Sequence, residues 1–217
     1  DALSWMRISD LDPGDTHIQA SYGILNLPPQ PCRYARAGIL LYGVRSGGEP
    51  TAFWPDLRPA LSLRARVATV RRLNAGESAG YGLAFRVDRV AAVKSLPAGA
   101  GAGYGLAFVA QRPTQVAVLT IGYGDGLPRE LSQRGGAVLI RGRRCPLAGR
   151  MCMDQLFADV TELPEVHPGD RATIIGSDGT SVIPAEEPAS LCGTITNELL
   201  SALSRRLPLV SVGGRSP

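Results

Sequence analysis

The sequence predicts a mostly β chain: a β-domain from about residue 58 onward, preceded by a smaller segment of mixed α and β character. Three observations predict it. Short runs of apolar and β-branched residues recur beyond residue 58 at Leu61–Leu73, Tyr81–Val87, Val116–Ile121, Ala137–Ile140, Gln155–Val160 and Ala172–Ile175. Gly or Pro turns separate them, the pattern of a compact antiparallel domain. Before them, Arg36 to Val44 (RAGILLYGV) is a continuous apolar run of the kind that fills a buried parallel strand. Helical periodicity is strong at only one late place, residues 194–206.

Taken in order, His17 to Leu25 reads as a strand and loop, and Pro28, Pro29 and Pro31 then interrupt it. The Gly/Pro-rich stretch 46–60, with Pro50, Pro55 and Pro59, places a domain boundary, so residues 1–57 and 58–217 form the two parts. In the late helix, Ile195, Leu199 and Leu203 make one apolar stripe. Arg205 and Arg206 fall in its expected last turn and Pro208 stops it. A shorter helix at AEEPASL is expected to be broken or shortened by Pro188. One segment is duplicated: RVATVRRLNAGESAGYGLAF (66–85) is followed by RVAAVKSLPAGAGAGYGLAF (89–108). Each copy reads as strand, turn, strand, and two copies are too few for a repeat fold.

Composition narrows the function classes. A hydrophobic content of 44% with 19% charged residues is that of a globular domain rather than a disordered chain. No apolar run reaches the length of a membrane span, and no secretory leader pattern opens the chain. The start at Asp1 without Met suggests a cut or processed chain. The net charge of +4 comes from scattered arginines, and with aromatics at 6% no nucleic-acid face emerges. Cys32, Cys145, Cys152 and Cys192 make no CxxC pair, and His17 and His167 stand far apart. No metal site is therefore expected, and the scattered thiols point to a reducing cytoplasm. Of 23 basic side chains, all but Lys94 are arginine.

Three segments carry specific signal. GYGDGLPREL (122–131) sets Tyr123 and Asp125 among glycines that permit a tight turn. AGRMCMDQ (148–155) packs Arg, Met and Asp into the entry of a strand. Two AGYG segments present Tyr81 and Tyr104. Alone, each has a bland reading: a hairpin with an exposed tyrosine, a buried Met-rich strand start, a core tyrosine. In order, however, ARAGILLYG, the GYG tyrosine, GYGDG, GRMCMDQ, GDRATIIG and GTITNELLS resemble alanine racemase. Within that family they resemble the racemase domains of vancomycin-resistance serine racemases. The likeness covers nearly the whole chain, and GYGDGLPR and GRMCMDQ are its most specific parts.

The resemblance implies a pyridoxal-phosphate enzyme that racemises a small amino acid, alanine or serine, for peptidoglycan precursors. It implies the last part of a (β/α)8 barrel in residues 1–57, and the family's C-terminal β-domain in 58–217. Ser21 and the amides of Gly38 and Ile39 would bind the cofactor phosphate, and Arg36 would face the pyridine nitrogen. Met153 and Tyr123 would line the substrate carboxylate and entrance. Racemisation needs a base on each face of the substrate; in the family these are a cofactor-bearing lysine and a tyrosine from the partner subunit of a homodimer. Tyr104 is preferred for the tyrosine, since it leads directly into the active-site hairpin, and Tyr81 is the alternative. The hairpin holding the other would loop out or add an edge.

Departures accompany the likeness. The barrel strand with the cofactor lysine is missing, as are the family's barrel histidine and carboxylate-binding arginine. Lys94, in the duplicated hairpin, does not match that lysine. Ser204-Arg205-Arg206 stands where a second tyrosine often contacts the phosphate. Any membrane attachment would need a domain outside this sequence. The competing reading is a non-catalytic β-domain that serves dimer association only. A glycine-rich nucleotide loop at GAGAGYG (99–105) fits neither GxGxxG spacing nor a strand–helix context.

Overall fold

The computed structural model describes residues 2–45, 56–72, 101–102, 108–109, 113–163 and 165–211. The chain divides into two compact units, Asp1–Ala60 and Leu61–Pro217.

In the first unit, helix α1 (Ala2–Ile8) precedes strand β1 (His17–Ala20), helix α2 (Ser21–Asn26) and strand β2 (Tyr34–Arg36). β1 and β2 pair in parallel, with His17 opposite Tyr34 and Ala20 opposite Arg36. Parallel partners need a crossover, which α2 supplies. The helix stops at Leu27, which is extended (φ −114°, ψ 151°) because Pro28 follows. Ser21 and the Gly38–Ile39 step each follow one of two parallel strands, so both lie at the same end of the pair. The expected strand Arg36–Val44 is corrected here. The strand ends at Arg36, and Ile39–Tyr42 fold as a single 3-10 turn closed by Gly43 in the left-handed region. Of this apolar run only Ile39 and Val44 are buried, and Leu41 is 76% exposed. Glycines at 38 and 43 allow the turn. At Gly43 (φ +68°) a Cβ would stand 1.8 Å from the Arg58 carbonyl oxygen.

The second unit is an antiparallel sheet. Its strands are β3 (Leu63–Arg72), β6 (Gln115–Leu119), β7 (Ala137–Ile140), β8 (Arg143–Pro146), β9 (Leu156–Asp159), β10 (Arg171–Asp178) and β11 (Ser181–Ile183). A separate antiparallel pair joins β4 (Gly101–Ala102) to β5 (Phe108–Val109). The strand order is β8-β7-β10-β3-β6-β9, with β11 hairpinned onto β10. The two ends of this path meet. Leu147, just past β8, bridges Ala158 in β9, and the Ala148 amide donates to the Phe157 carbonyl at 2.9 Å. The β8 and β9 ends of the path thereby join at this seam. Val67, Leu119, Leu139, Ile140, Leu156 and Ile174 are almost fully buried. All four residues of β7 are buried, so both of its faces are covered.

The strand at β8 escapes sequence reading because its turn is unusual. Arg141 and Gly142 both have positive φ (51° and 71°), the two-residue geometry favoured between twisted antiparallel strands, but Arg replaces the usual Asn or Asp. The Gly142 amide donates to Asp178 Oδ2 (2.8 Å) and the Gly142 carbonyl accepts from Ser181 Oγ (2.6 Å), so a neighbouring hairpin holds the turn.

The expected late helix is also corrected. Helix α4 runs only Thr196–Ser201, and of the apolar stripe only Leu199 is buried, while Ile195 is 51% exposed. The chain leaves the helix because the Ser204 amide donates to the Asp125 carbonyl at 3.0 Å, which takes Arg205 and Arg206 off the helix axis. Pro188 sits in the first turn of helix α3 (Glu186–Leu191). Amides there have no intrahelical acceptor, so the proline costs little and the six-residue helix forms. The expected strand Tyr81–Val87 and most of both duplicated hairpins lie outside the described residues. Among the described residues, no helix is long and apolar enough to cross a membrane.

Two predictions follow from this packing. Burial, reinforced by the nearby Asp159 carboxylate, pushes the Cys145 thiol up to about 11. Cys145 should therefore be the slowest of the four cysteines to alkylate at pH 8, as read by peptide mass mapping. Asp178 is held below the ordinary carboxylate range, first by the Gly142 amide and then by Arg171. A depressed folded-state pKa gives stability that is complete above the unfolded value, about 3.9, and is lost as pH falls through the folded one. Asp178→Asn should cost about 1 kcal/mol at pH 7, the worth of a partly solvated hydrogen bond. That difference should shrink below pH 4 in denaturant titrations.

Candidate active site

Two segments singled out in the sequence come together in the second unit, and the sheet explains why. Leu119 at the end of β6 pairs with Leu156 at the start of β9. The chain leaving β6 and the chain entering β9 therefore emerge at one end of the same ladder. Leaving β6, Tyr123–Asp125 form a 3-10 turn between Gly122 and Gly126. Entering β9, residues 152–155 form the facing loop. The Tyr123 amide donates to the Cys152 carbonyl (3.2 Å) and the Gly124 amide to the Met153 carbonyl (2.8 Å). A Cβ on Gly122 would stand 2.3 Å from the Cys152 carbonyl oxygen, so glycine is required for this approach. Gly126 combines φ +98° with a backbone carbonyl, that of Ala202, 2.1 Å from where its Cβ would be.

Asp125 is buried, and its two oxygens have separate tasks. Oδ2 accepts from the Gly122 amide at 2.8 Å, which closes the turn. Oδ1 accepts from Arg206 Nε at 2.8 Å. The same guanidinium donates through Nη2 to Asp154 Oδ1 at 2.5 Å. The hydrogen bonds it donates to both carboxylates, Asp125 first, raise the Arg206 pKa further above its ordinary value, so this cation is permanent. Tyr123 and Met153 are left exposed on the joined surface, at 39% and 53%. Beside them a groove of about 520 Å³ is lined by Tyr123, Leu127, Glu130, Cys192, Thr194 and Leu199. Sequence reading missed Arg206. It lies 81 residues from Asp125 and 52 from Asp154, and no local pattern spans those distances.

In the first unit, Ser21 is buried and its Oγ accepts from the Leu40 amide at 3.4 Å. That leaves the hydroxyl proton free to donate elsewhere. The Gly38 amide donates to the Arg36 carbonyl at 3.0 Å, and a Cβ on Gly38 would meet nothing within 4 Å, so space is open there. The Ile39 amide begins the 3-10 turn, where no helical acceptor exists. The Arg36 side chain is exposed and has no ion pair among the described residues. Tyr81, Tyr104 and Lys94 lie outside the described residues. Among the described residues, no group of three or more His, Cys, Asp or Glu could hold a metal ion.

The family model for the alanine racemase C-terminal domain matches residues 86–211, a span that contains both turns and Arg206. The chain belongs to the alanine racemase family. It is 39% identical over 209 residues to an amino-acid racemase of Enterococcus faecalis, covering 96% of this chain and 26% of that protein. It is 38% identical over 210 residues to the alanine racemase of Carboxydothermus hydrogenoformans, covering 97% of this chain and 50% of that one. Among solved structures, alanine racemase from D-cycloserine-producing Streptomyces lavendulae superposes with a TM-score of 0.76 at 32% identity, over 98% of this chain and 50% of that one. Alanine racemase from Bartonella henselae with covalently bound pyridoxal phosphate superposes with a TM-score of 0.70 at 27% identity, over 94% and 49%. The chain thus spans about half the length of these alanine racemases. The C-terminal domain match begins after β3.

The glycine requirement is testable with two substitutions. Gly126→Ala should destabilise the unit by about 3 kcal/mol, because positive φ and a backbone clash combine. Gly135→Ala, also at positive φ (+80°) but with nothing within 4 Å, should cost about 1 kcal/mol. Urea denaturation of the two variants measures the difference.

Proposed function

We propose that this chain is the C-terminal half of a pyridoxal-phosphate amino-acid racemase acting on alanine, with serine as the further substrate, to make D-amino acids for peptidoglycan precursors in the bacterial cytoplasm. The observation that carries this reading is the joining of GYGDG and CMDQ, the most racemase-like segments of the sequence, into one hydrogen-bonded surface that exposes Tyr123 and Met153.

The first unit supports a barrel remnant. Its two parallel strands are barely covered, with Ile18 and Tyr34 both exposed, whereas parallel strands are ordinarily buried on both faces. Further strands of a (β/α)8 barrel would cover them. In such a barrel, phosphate sites lie past the C-terminal ends of the strands, where Ser21, Gly38 and Ile39 stand. The residues present fit the cofactor's phosphate: a hydroxyl with a free proton, an amide at a turn start, and open space beside Gly38. The Gly38 amide would share its proton between Arg36 O and the anion. The guanidinium of Arg36 would donate to the pyridine nitrogen and keep it unprotonated.

Bound pyridoxal phosphate supplies an electron sink that acidifies the substrate Cα–H bond. Tyr104, with Tyr81 as the alternative, takes or returns the proton on one face. A phenol of ordinary pKa near 10 needs a cationic neighbour for that task. Tyr123 orients its hydroxyl, and Met153 its backbone amide, toward the substrate carboxylate. The base for the other face is a lysine outside this sequence, since Lys94 stands in the duplicated segment. The sites are shared across a homodimer, because the tyrosine serves the partner's cofactor.

A chimera tests the reading: the N-terminal half of the Carboxydothermus racemase followed by residues 1–217. It should dimerise, take up the cofactor and racemise alanine, as measured by loss of optical activity. Tyr104→Phe should lower kcat at least about 100-fold, the scale of lost acid–base catalysis, and Tyr81→Phe far less. Loss confined to Tyr81→Phe would reverse that preference. A folded, dimeric, cofactor-loaded chimera without turnover would leave association as the domain's only role.

A further inference from the structure

We infer that Arg206 is a positioning residue for substrate recognition: its single guanidinium locks the Tyr123 turn and the Met153 loop into one rigid pair. This rests on the racemase reading for what the pair recognises, but the lock itself follows from the geometry alone.

The two elements come from distant parts of the chain and share two backbone hydrogen bonds, Tyr123 N to Cys152 O and Gly124 N to Met153 O. Two such bonds act as a hinge and leave rotation about their line. Arg206 supplies the missing constraint from the side. Nε reaches Asp125, two residues after Tyr123, and Nη2 reaches Asp154, one residue after Met153. A planar guanidinium fixes the distance and angle between its nitrogens, so the two carboxylates, and the loops behind them, hold a set spacing. Lysine would offer a point charge without that plane.

Three features show that the surroundings are fitted to this cation. The Gly124 backbone lies against the guanidinium, where a Cβ would stand 2.7 Å from Arg206 Nη2. The Ser204 amide binds the Asp125 carbonyl at 3.0 Å, and the Arg206 amide donates to Ser204 Oγ at 3.3 Å, so the segment presenting Arg206 is itself tied to the turn. Asp125 has one oxygen committed to Gly122 and the other to Arg206, so its buried carboxylate is satisfied only when both are present. The helix that ends at Ser201 stops in time to allow this reach.

The test needs no turnover. Amide hydrogen exchange on the 217-residue chain should show Gly122 and Gly124 exchanging at least tenfold faster in Arg206→Ala, with Val138 and Leu139 in β7 unchanged. Because loss of Arg206 leaves a buried carboxylate unpaired and could unfold the unit, Asp154→Asn is the second variant. It should speed Gly124, whose acceptor is in the far loop, but not Gly122, whose acceptor is Asp125. In the chimera, Arg206→Lys should raise KM for alanine about tenfold with kcat within twofold, since orientation rather than proton transfer is disturbed. Unchanged Gly124 exchange in both chain variants would overturn the lock. Faster exchange with no effect on KM would overturn the recognition role and leave the lock standing. An inactive chimera with faster exchange would count against the racemase reading alone.

Discussion

Closure of the antiparallel sheet is the constraint on which the second unit depends. Without the Leu147–Ala158 bridge, β8 and β9 would be two open edges, each offering unpaired amides and carbonyls. Within the closed sheet, β7 is buried along its whole length. The same closure fixes the path of residues 148–155, which must run from the seam at β8 to the start of β9. Pairing of β9 with β6 then delivers that path to the turn that leaves β6. The candidate site is a consequence of strand order before it is a matter of side chains.

Side chains then set how tightly the two loops meet. Gly122 and Gly126 stand where backbone from elsewhere comes too near for any Cβ, and at Gly124 the Arg206 guanidinium does. Glycine therefore marks contact here rather than freedom. Asp125 converts that contact into a polarised junction, taking an amide from its own turn and a cation from the segment after α4. A carboxylate so buried is costly unless both partners are held. That cost gives the junction one geometry instead of several.

Much of this was legible in the sequence. Alternation and turn residues located β3, β6, β7, β9 and β10 to within a few residues, because each is a half- or fully buried strand bounded by Gly or Pro. Failures cluster where tertiary contacts overrode local pattern. RAGILLYGV has a buried strand's composition, but Gly38 and Gly43 permit a turn that a composition argument does not weigh. The helix at 196–201 ends early because Ser204 and Arg206 are drawn to Asp125. β8 lacked a signal because its turn uses Arg-Gly, stabilised by Asp178 and Ser181 rather than by its own residues.

The sequence by itself determined the family, the β-rich class, and the two segments that carry Tyr123 and Met153. It could do so because these rest on local patterns of residue type: alternation, glycine spacing, and motif order. The tertiary structure alone decided that the two segments share one surface, and that Arg206, read locally as a helix-terminal cation, ties them together. Contacts across 52 and 81 residues depend on strand order and sheet closure, and no window along the chain contains that information.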